Sequence, residues 1–411
     1  VTDTLHTKLS CGLECAVQPL PDRHVVAFQI RVLGGTCGEP EAKLGLARIV
    51  TETLDKGTAR HTGPELLDAF DSLGAHHRAG TGRETATFTC TVLPEHFEPA
   101  VALHAEMLRT PTFPADAFEV NVELARQELL ALQDDPQGLV DKYLNAQAFG
   151  PVLGRHALGE RDTLDRLTRD DVVEFWQTHF QAGRMLVAVA GAIEPQHALA
   201  LLEEHFAGFG TAQQDARLPV AFGFGAETRH YPKDLEQEQL GLCWPGVAVT
   251  DPDFPVQQVT LGVLSGGMSA RLFTEVREKQ GLVYWVGAWQ ETPRGAGLIF
   301  LGASTRPERC DRTYATLLAE VDRLGKDLTE EELQRAITGL VAAQDTRGDT
   351  TRARCAELGS DLFYYGHPVS REKKLAWVRV VTRADVERYL AGHPRDRLSV
   401  VTLGPRALGA D

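Results

Sequence analysis

The sequence predicts an α+β fold made of two homologous α/β-sandwich domains, each a mostly antiparallel sheet packed with helices. Three observations carry this expectation. The chain has 411 residues, too many for one ordinary hydrophobic core and suited to two of roughly 200 residues each. One helix–turn–strand pattern occurs twice. Strands and long amphipathic helices are mixed without the strict β-α-β alternation of a parallel sheet.

The repeat is the firmest of the three. Leu167-Thr-Arg-Asp-Asp-Val-Val-Glu-Phe-Trp176 is followed by His179 and then Arg184-Met-Leu-Val-Ala-Val-Ala-Gly191. Val381-Thr-Arg-Ala-Asp-Val-Glu-Arg-Tyr-Leu390 is followed by His393 and then Arg397-Leu-Ser-Val-Val-Thr-Leu-Gly404. Thr168 and Thr382 each stand three residues before an aspartate, Asp171 or Asp385, the spacing of a capping box. A strand ending in glycine follows each helix, so helix, turn and strand agree in order and spacing, as an internal duplication requires. Each half opens with strands, such as His24–Val32 and Gln239–Trp244. The Gly-, Ala- and Gln-rich stretch around Pro219 reads as a linker. The expected division is 1–207, a linker at 208–225, and 226–411.

Composition excludes several functions. Acidic residues outnumber basic ones by 57 to 42, a net charge of −15, so a phosphate backbone would be repelled and no nucleic-acid role is expected. The longest strongly apolar stretch, Met185–Ile193, is far short of the ~20 residues that span a bilayer. No charged-then-apolar leader opens the chain, and Val1 in place of Met implies a trimmed start. The compartment is not fixed by these features; the cytoplasm is favoured over the periplasm. Seven scattered cysteines with no C-x-x-C pair read as reduced, mostly buried thiols.

After the first long strand comes Gly45-Leu-Ala-Arg48-Ile-Val-Thr51-Glu52-Thr-Leu-Asp-Lys-Gly57-Thr58. Leu46, Ile49, Val50 and Leu54 fall on one helical face, Gly57 reads as a C-cap, and Arg48, Thr51 and Glu52 share a second stripe. This frame resembles the insulinase/pitrilysin metallopeptidases, whose inverted zinc motif reads Gly-hydrophobic-Ala-His-x-x-Glu-His-x-hydrophobic-x-Lys-Gly-Thr. Here the two histidine positions hold Arg48 and Glu52, and the general-base position holds Thr51. Arginine has no lone pair for zinc, and threonine cannot take a proton from a zinc-bound water. No His-x-x-Glu-His or His-Glu-x-x-His stands elsewhere, and His76-His77, adjacent in a strand, point to opposite faces. The family's third ligand is a downstream glutamate before an acidic turn, and Glu128 matches its place. The resemblance thus makes Arg48, Thr51, Glu52 and Glu128 vestigial site positions. With apolar neighbours at helical spacing, Glu128 is expected to need a counterion, and Arg48 is expected to supply it.

The second half carries Ser265-Gly-Gly-Met-Ser-Ala-Arg-Leu-Phe-Thr-Glu-Val-Arg277-Glu-Lys-Gln-Gly-Leu-Val-Tyr284. A glycine turn leads into a helix that Gly281 stops, and a strand begins near Leu282; no Gly-Lys-Ser/Thr follows, so this is not a phosphate loop. The segment is similar to the family's second-half signature, in which an arginine and a tyrosine seven residues later bind the substrate's backbone; Arg277 and Tyr284 have that spacing. The resemblance implies a subunit inactive alone and without a cofactor of its own. It would contribute Arg277 and Tyr284 to a homologous zinc-bearing peptidase subunit in a heterodimer, with a homodimer as its form in isolation. The substrate would be an extended peptide added to a sheet edge. The alternative is a scaffold or peptide-binding protein with no part in proteolysis.

Overall fold

The computed structural model describes residues 4–210 and 220–409; part of the expected linker therefore lies outside the described residues. The chain forms two compact units.

The first unit contains the described residues of Val1–Ala131, Arg155–Leu218 and Arg347–Val369. Its strands are β1 (Leu5–Lys8), β2 (Glu14–Pro19), β3 (Val26–Leu33), β4 (His76–Thr81), β5 (Thr85–Val92) and β6 (Met185–Gly191). They lie in the order β1-β2-β6-β3-β5-β4, antiparallel throughout except for β2 against β6. Helices α1 (Leu46–Thr53), α2 (Gly63–Ser72), α3 (Phe97–Arg109) and α4 (Ala115–Ala131) come from the early part of the chain. After α5 (Pro136–Leu153), which belongs to the second unit, the chain returns with α6 (Arg161–Leu164), α7 (Arg169–His179) and α8 (Pro195–Phe206).

The second unit contains the described residues of Leu132–Gly154, Pro219–Thr346 and Ser370–Asp411. Its strands are β7 (Thr228–Pro232), β8 (Glu238–Gly246), β9 (Val283–Glu291), β10 (Gly297–Thr305) and β11 (Ser399–Gly404). The order β7-β11-β8-β10-β9 has β7 and β11 parallel and the rest antiparallel. That repeats β2-β6-β3-β5-β4 strand for strand, as the duplicated sequence pattern predicts. Helices α9 (Phe254–Ser265), α10 (Cys310–Asp327) and α11 (Glu330–Arg347) precede α12 (Thr351–Tyr365), which belongs to the first unit. Then come α13 (Arg371–Arg379) and α14 (Arg383–Gly392).

The units interleave the two halves, unlike the expected division at 207 and 226. The central strands β3 and β8 are buried on nearly every residue of both faces, so each sheet needs a second cover. In the first unit α12 supplies it: Cys355, Leu358, Leu362 and Phe363 pack on Ala16, Ala27, Ala188 and Ala190. The small alanines let the helix come close. In the second unit α5 lies on β8 and β11, where a Cβ on Gly241 would meet Val140 Cγ1 at 2.5 Å. The other face of that sheet buries Leu242, Trp244, Ile299 and Leu301 against α9, α10, α11 and α14, each such side chain contributing roughly 1.5–3 kcal/mol.

Local signals hold where they depend on neighbours in sequence. Thr168 N–H donates to Asp171 at 2.8 Å and Asp171 N–H returns to Thr168 Oγ1 at 3.3 Å; Thr382 and Asp385 do the same at 2.9 and 3.2 Å. All seven cysteines are free thiols, six of them buried. No helix among the described residues is long and apolar enough to cross a membrane.

Candidate functional site

Helix α1 starts at Gly45, whose φ of 94° is a left-handed conformation that favours glycine. A side chain there would also meet Leu164 at 2.9 Å. The two N–H groups that open the helix, Gly45 and Ala47, donate to Glu39 Oε1 at 3.1 and 2.8 Å, as a capping carboxylate does. Glu39 is buried, and its Oε2 makes no hydrogen bond among the described residues. Burial pushes its pKa up to about 8, against the opposing pull of those N–H groups and of Arg155. The far end of α1 corrects the expected glycine cap. A short 3₁₀ turn, Leu54–Lys56, follows α1, and Gly57 is extended, bridging Thr62. A glycine is needed there for space, since a Cβ would lie 2.7 Å from Thr112 Oγ1.

Leu46, Ile49, Val50 and Leu54 are buried as their spacing predicts. The second stripe faces α4. Asn121 on α4 donates to Glu52 O and Thr53 Oγ1, both at 3.2 Å, tying the two helices together. Arg48 then bridges them: Nε donates to Glu52 at 2.7 Å and Nη2 to Glu128 at 2.8 Å. The expected Arg48–Glu128 ion pair is present, but the reason given for it is reversed. The Glu128 side chain is 55% exposed and that of Arg48 only 13%, so the arginine is the group that needs partners. Burial works against its charge most strongly; the hydrogen bonds to Glu128 and Glu52 together outweigh it and raise its pKa. Thr51 is turned inward, donating to Ala47 O at 2.8 Å and accepting from Thr81 Oγ1 on β4 at 2.9 Å.

These residues do not fit zinc. The position that needs an imidazole carries a guanidinium, and both nearby carboxylates are hydrogen-bonded to it. Among the described residues no three His, Cys, Asp or Glu side chains are grouped to hold a metal.

The second candidate site lies wholly in the second unit. The segment Leu272–Lys279 is wound as a π-helix rather than the expected α-helix, a winding often found at functional positions. Leu272 and Val276 are buried beneath it. The Arg277 guanidinium carbon lies 4.8 Å from the Phe273 ring and 5.7 Å from the Tyr284 ring, within cation–π range of both. Among the described residues Arg277 forms no ion pair. Tyr284 stands at the start of β9, the edge strand of its sheet, and is 75% exposed. A charged fork held by two rings and left without a carboxylate, beside an exposed phenol, can donate charge-assisted and neutral hydrogen bonds to one acceptor. Phe273 is not among the residues expected from the sequence to take part; its position four before Arg277 is the available signal. Glu39 and Thr81 were not foreseen: Thr81 reaches Thr51 from a separate strand, and Glu39 caps α1 from the preceding loop, beyond the three-residue spacing of a capping box.

The insulinase (peptidase family M16) model matches residues 15–161, and the model described as peptidase M16 inactive domain matches residues 166–340. An uncharacterized zinc protease of Streptomyces coelicolor is 28% identical over 408 residues, covering 97% of this chain and 89% of its own. One from Rickettsia bellii is 26% identical, with 92% of each chain covered. A probable mitochondrial-processing peptidase subunit beta of Arabidopsis thaliana is 24% identical, over 98% of this chain and 78% of its own. The crystal structure of a peptidase M16 inactive domain from Pseudomonas fluorescens has the same fold, with a TM-score of 0.92, 22% identity and full coverage of both chains. With two models of one family matching in succession, and the frame around Arg48, Thr51 and Glu52 intact, the chain belongs to the insulinase family of peptidases, family M16.

Proposed function

We propose that this chain is a non-catalytic subunit of a two-subunit zinc metallopeptidase, and that it contributes Arg277 and Tyr284 to peptide binding at a zinc site held by a homologous partner. The observation that carries the reading is the Arg277 fork, which lies over the Phe273 and Tyr284 rings and forms no ion pair among the described residues. It stands in a chain whose own motif positions hold Arg48, Thr51 and Glu52. Arg271, by contrast, is neutralised by Asp327 and Glu332. An arginine without such partners among the described residues is suited to an incoming acceptor, such as a peptide carbonyl. Arg277 would hold that carbonyl by charge-assisted hydrogen bonds, and the Tyr284 hydroxyl would donate a second. The partner would supply the zinc, the activated water and the general base. The full length matched to proteins named zinc proteases, and to one named a processing-peptidase subunit, supports a peptide substrate.

The test is hydrolysis of a fluorogenic peptide by the chain alone, by a zinc-bearing homologue alone, and by the two mixed. The chain alone is expected to be inactive and the mixture active. Arg277→Ala should lower kcat/KM of the mixture by about 10²-fold, the usual loss for one transition-state donor, and Tyr284→Phe by less. Undiminished activity with both replaced would make the chain a scaffold. Hydrolysis by the chain alone would overturn the proposal altogether.

A further inference from the structure

The first unit holds a cavity of about 360 Å³ among α2, α3 and the end of α8, a volume in the range of small-molecule sites. One wall is apolar: Leu73, just past the end of α2, with Pro99, Ala102 and Leu103 from α3. Four polar groups complete it, namely Arg60, Glu106, Arg109 and His205. None of these residues takes part in either site described above.

The polar groups are unequally committed. Glu106 is already held, its Oε1 bonded to His61 Nδ1 at 2.8 Å and to the Thr58 hydroxyl. Arg60 is exposed and makes no ion pair among the described residues. Arg109 spends one N–H on Ala207 O at 3.0 Å and lies over the Phe209 ring at 5.9 Å, which leaves most of its five donors available. His205 Nε2 is buried and has no hydrogen-bond partner among the described residues, a condition that buried polar atoms rarely keep. The chain as a whole is acidic, with a net charge of −15, so two guanidinium groups lining one largely apolar cavity, neither in an ion pair among the described residues, run against its general field.

We propose that this cavity binds a small carboxylate with a compact apolar body. The carboxylate would sit between the forks of Arg60 and Arg109 with His205 Nε2 beside it, and the apolar body would lie against Leu73, Ala102 and Leu103. A planar anion matches two guanidinium groups; the remaining wall offers only apolar contact.

Three probes with one body and different heads test this in calorimetric titrations of the full chain: 4-phenylbutyrate, 4-phenylbutan-1-ol and 4-phenylbutylamine. The acid should bind at one site per chain, about tenfold or more tighter than the alcohol, the size of a charge-assisted hydrogen-bond contribution. The amine should bind more weakly still. Arg60→Gln and Arg109→Gln should each weaken the acid about tenfold and leave the alcohol unchanged. Ala102→Trp, which fills the cavity, should abolish binding of all three; should that variant not fold, the two surface arginine variants decide. Equal affinity for the three heads, no binding of the acid, or acid binding untouched in an Arg60→Gln/Arg109→Gln double variant would each overturn the proposal.

Discussion

The two units share one strand order, yet they treat the helix after the central strand in opposite ways. In the first unit α1 keeps a polar stripe that reaches solvent: the Arg48 and Glu52 side chains are 13% and 37% exposed, and their neighbour Glu128 on α4 is 55% exposed. In the second unit the equivalent helix, α9, buries Gln257 and Thr260. Gln257 accepts from Val247 N–H at 2.8 Å and from the Tyr389 hydroxyl at 2.7 Å, and donates to Gln290 at 2.7 Å. A network centred on a buried amide cannot lose one member without stranding another. A stripe in contact with water can be rewritten with little loss of stability. Arg48 and Glu52 thus lie where a substitution costs the fold little, whereas Thr51, buried and bonded to Ala47 O and Thr81, does not. In the second unit the groups suited to chemistry lie off that helix altogether, on the π-helix and on β9.

If the comparison is right, rewriting the stripe once more should restore what was lost. The triple variant Arg48→His, Thr51→Glu, Glu52→His should gain about one zinc per chain, bound with Glu128, where the parent is expected to bind none; metal analysis after dialysis measures it. The tetrahedral ligand set would then be two imidazoles and a carboxylate with one open position. Failure to take up zinc with the circular dichroism unchanged would locate the loss in the surroundings, foremost in the contact of Thr51 with Thr81.

How much of this was legible in the sequence depends on how local each feature is. The capping boxes at Thr168 and Thr382 rest on residues three apart, and the motif frame on consecutive ones, so both could be read directly. The exchange of α5 and α12 could not, because an amphipathic helix announces that one face is buried but not which sheet buries it. The unbroken apolar run of β6, Met185–Gly191, was a trace of a second cover on the first sheet. The π-helical winding at Leu272–Lys279 has no periodicity of its own at this length. The cavity near Arg109 is assembled from parts of the chain more than a hundred residues apart, as is the contact of α12 with its alanines. The Arg48–Glu128 pair was foreseen from matching positions, while the burial argument behind it failed, since spacing on α4 does not reveal that its outer face is open to water.

The next effect in size separates the helix start from the stripe. Glu39 holds a folded pKa of about 8 against an ordinary carboxylate value near 4.5. A raised carboxyl pKa means that the native state binds the proton more tightly, so the associated stability is full below about pH 4.5 and is lost as pH rises through 8. Denaturant midpoints of the chain should therefore fall between pH 6 and 9, and Glu39→Gln, which retains the acceptor for Gly45 and Ala47, should flatten that fall. An unchanged slope in the variant would show that other groups set it. Because Glu39 caps the helix that carries Arg48, the triple variant should keep the same slope if cap and stripe are independent.

The smallest effect belongs to the stripe itself, and it is the sharpest test of why the two units differ. Arg271 in the second unit is also held by two carboxylates, Asp327 at 2.6 Å and Glu332 at 2.7 Å. There the Glu332 pKa is drawn down to about 2, chiefly by the hydrogen bond to Arg271, the mark of a structural pair. Arg48 has the same number of partners at similar distances, but they are more exposed, and water screens what the contact contributes. Glu128→Gln should thus cost about 0.5 kcal/mol or less in urea unfolding, with Glu52 keeping the arginine paired. A loss above roughly 1.5 kcal/mol would mean that the ion pair holds α4 to α1 and took over a structural task once performed by a metal. The polar stripe would then be as constrained as the buried network of α9, and the contrast between the two units would have to rest on something other than exposure.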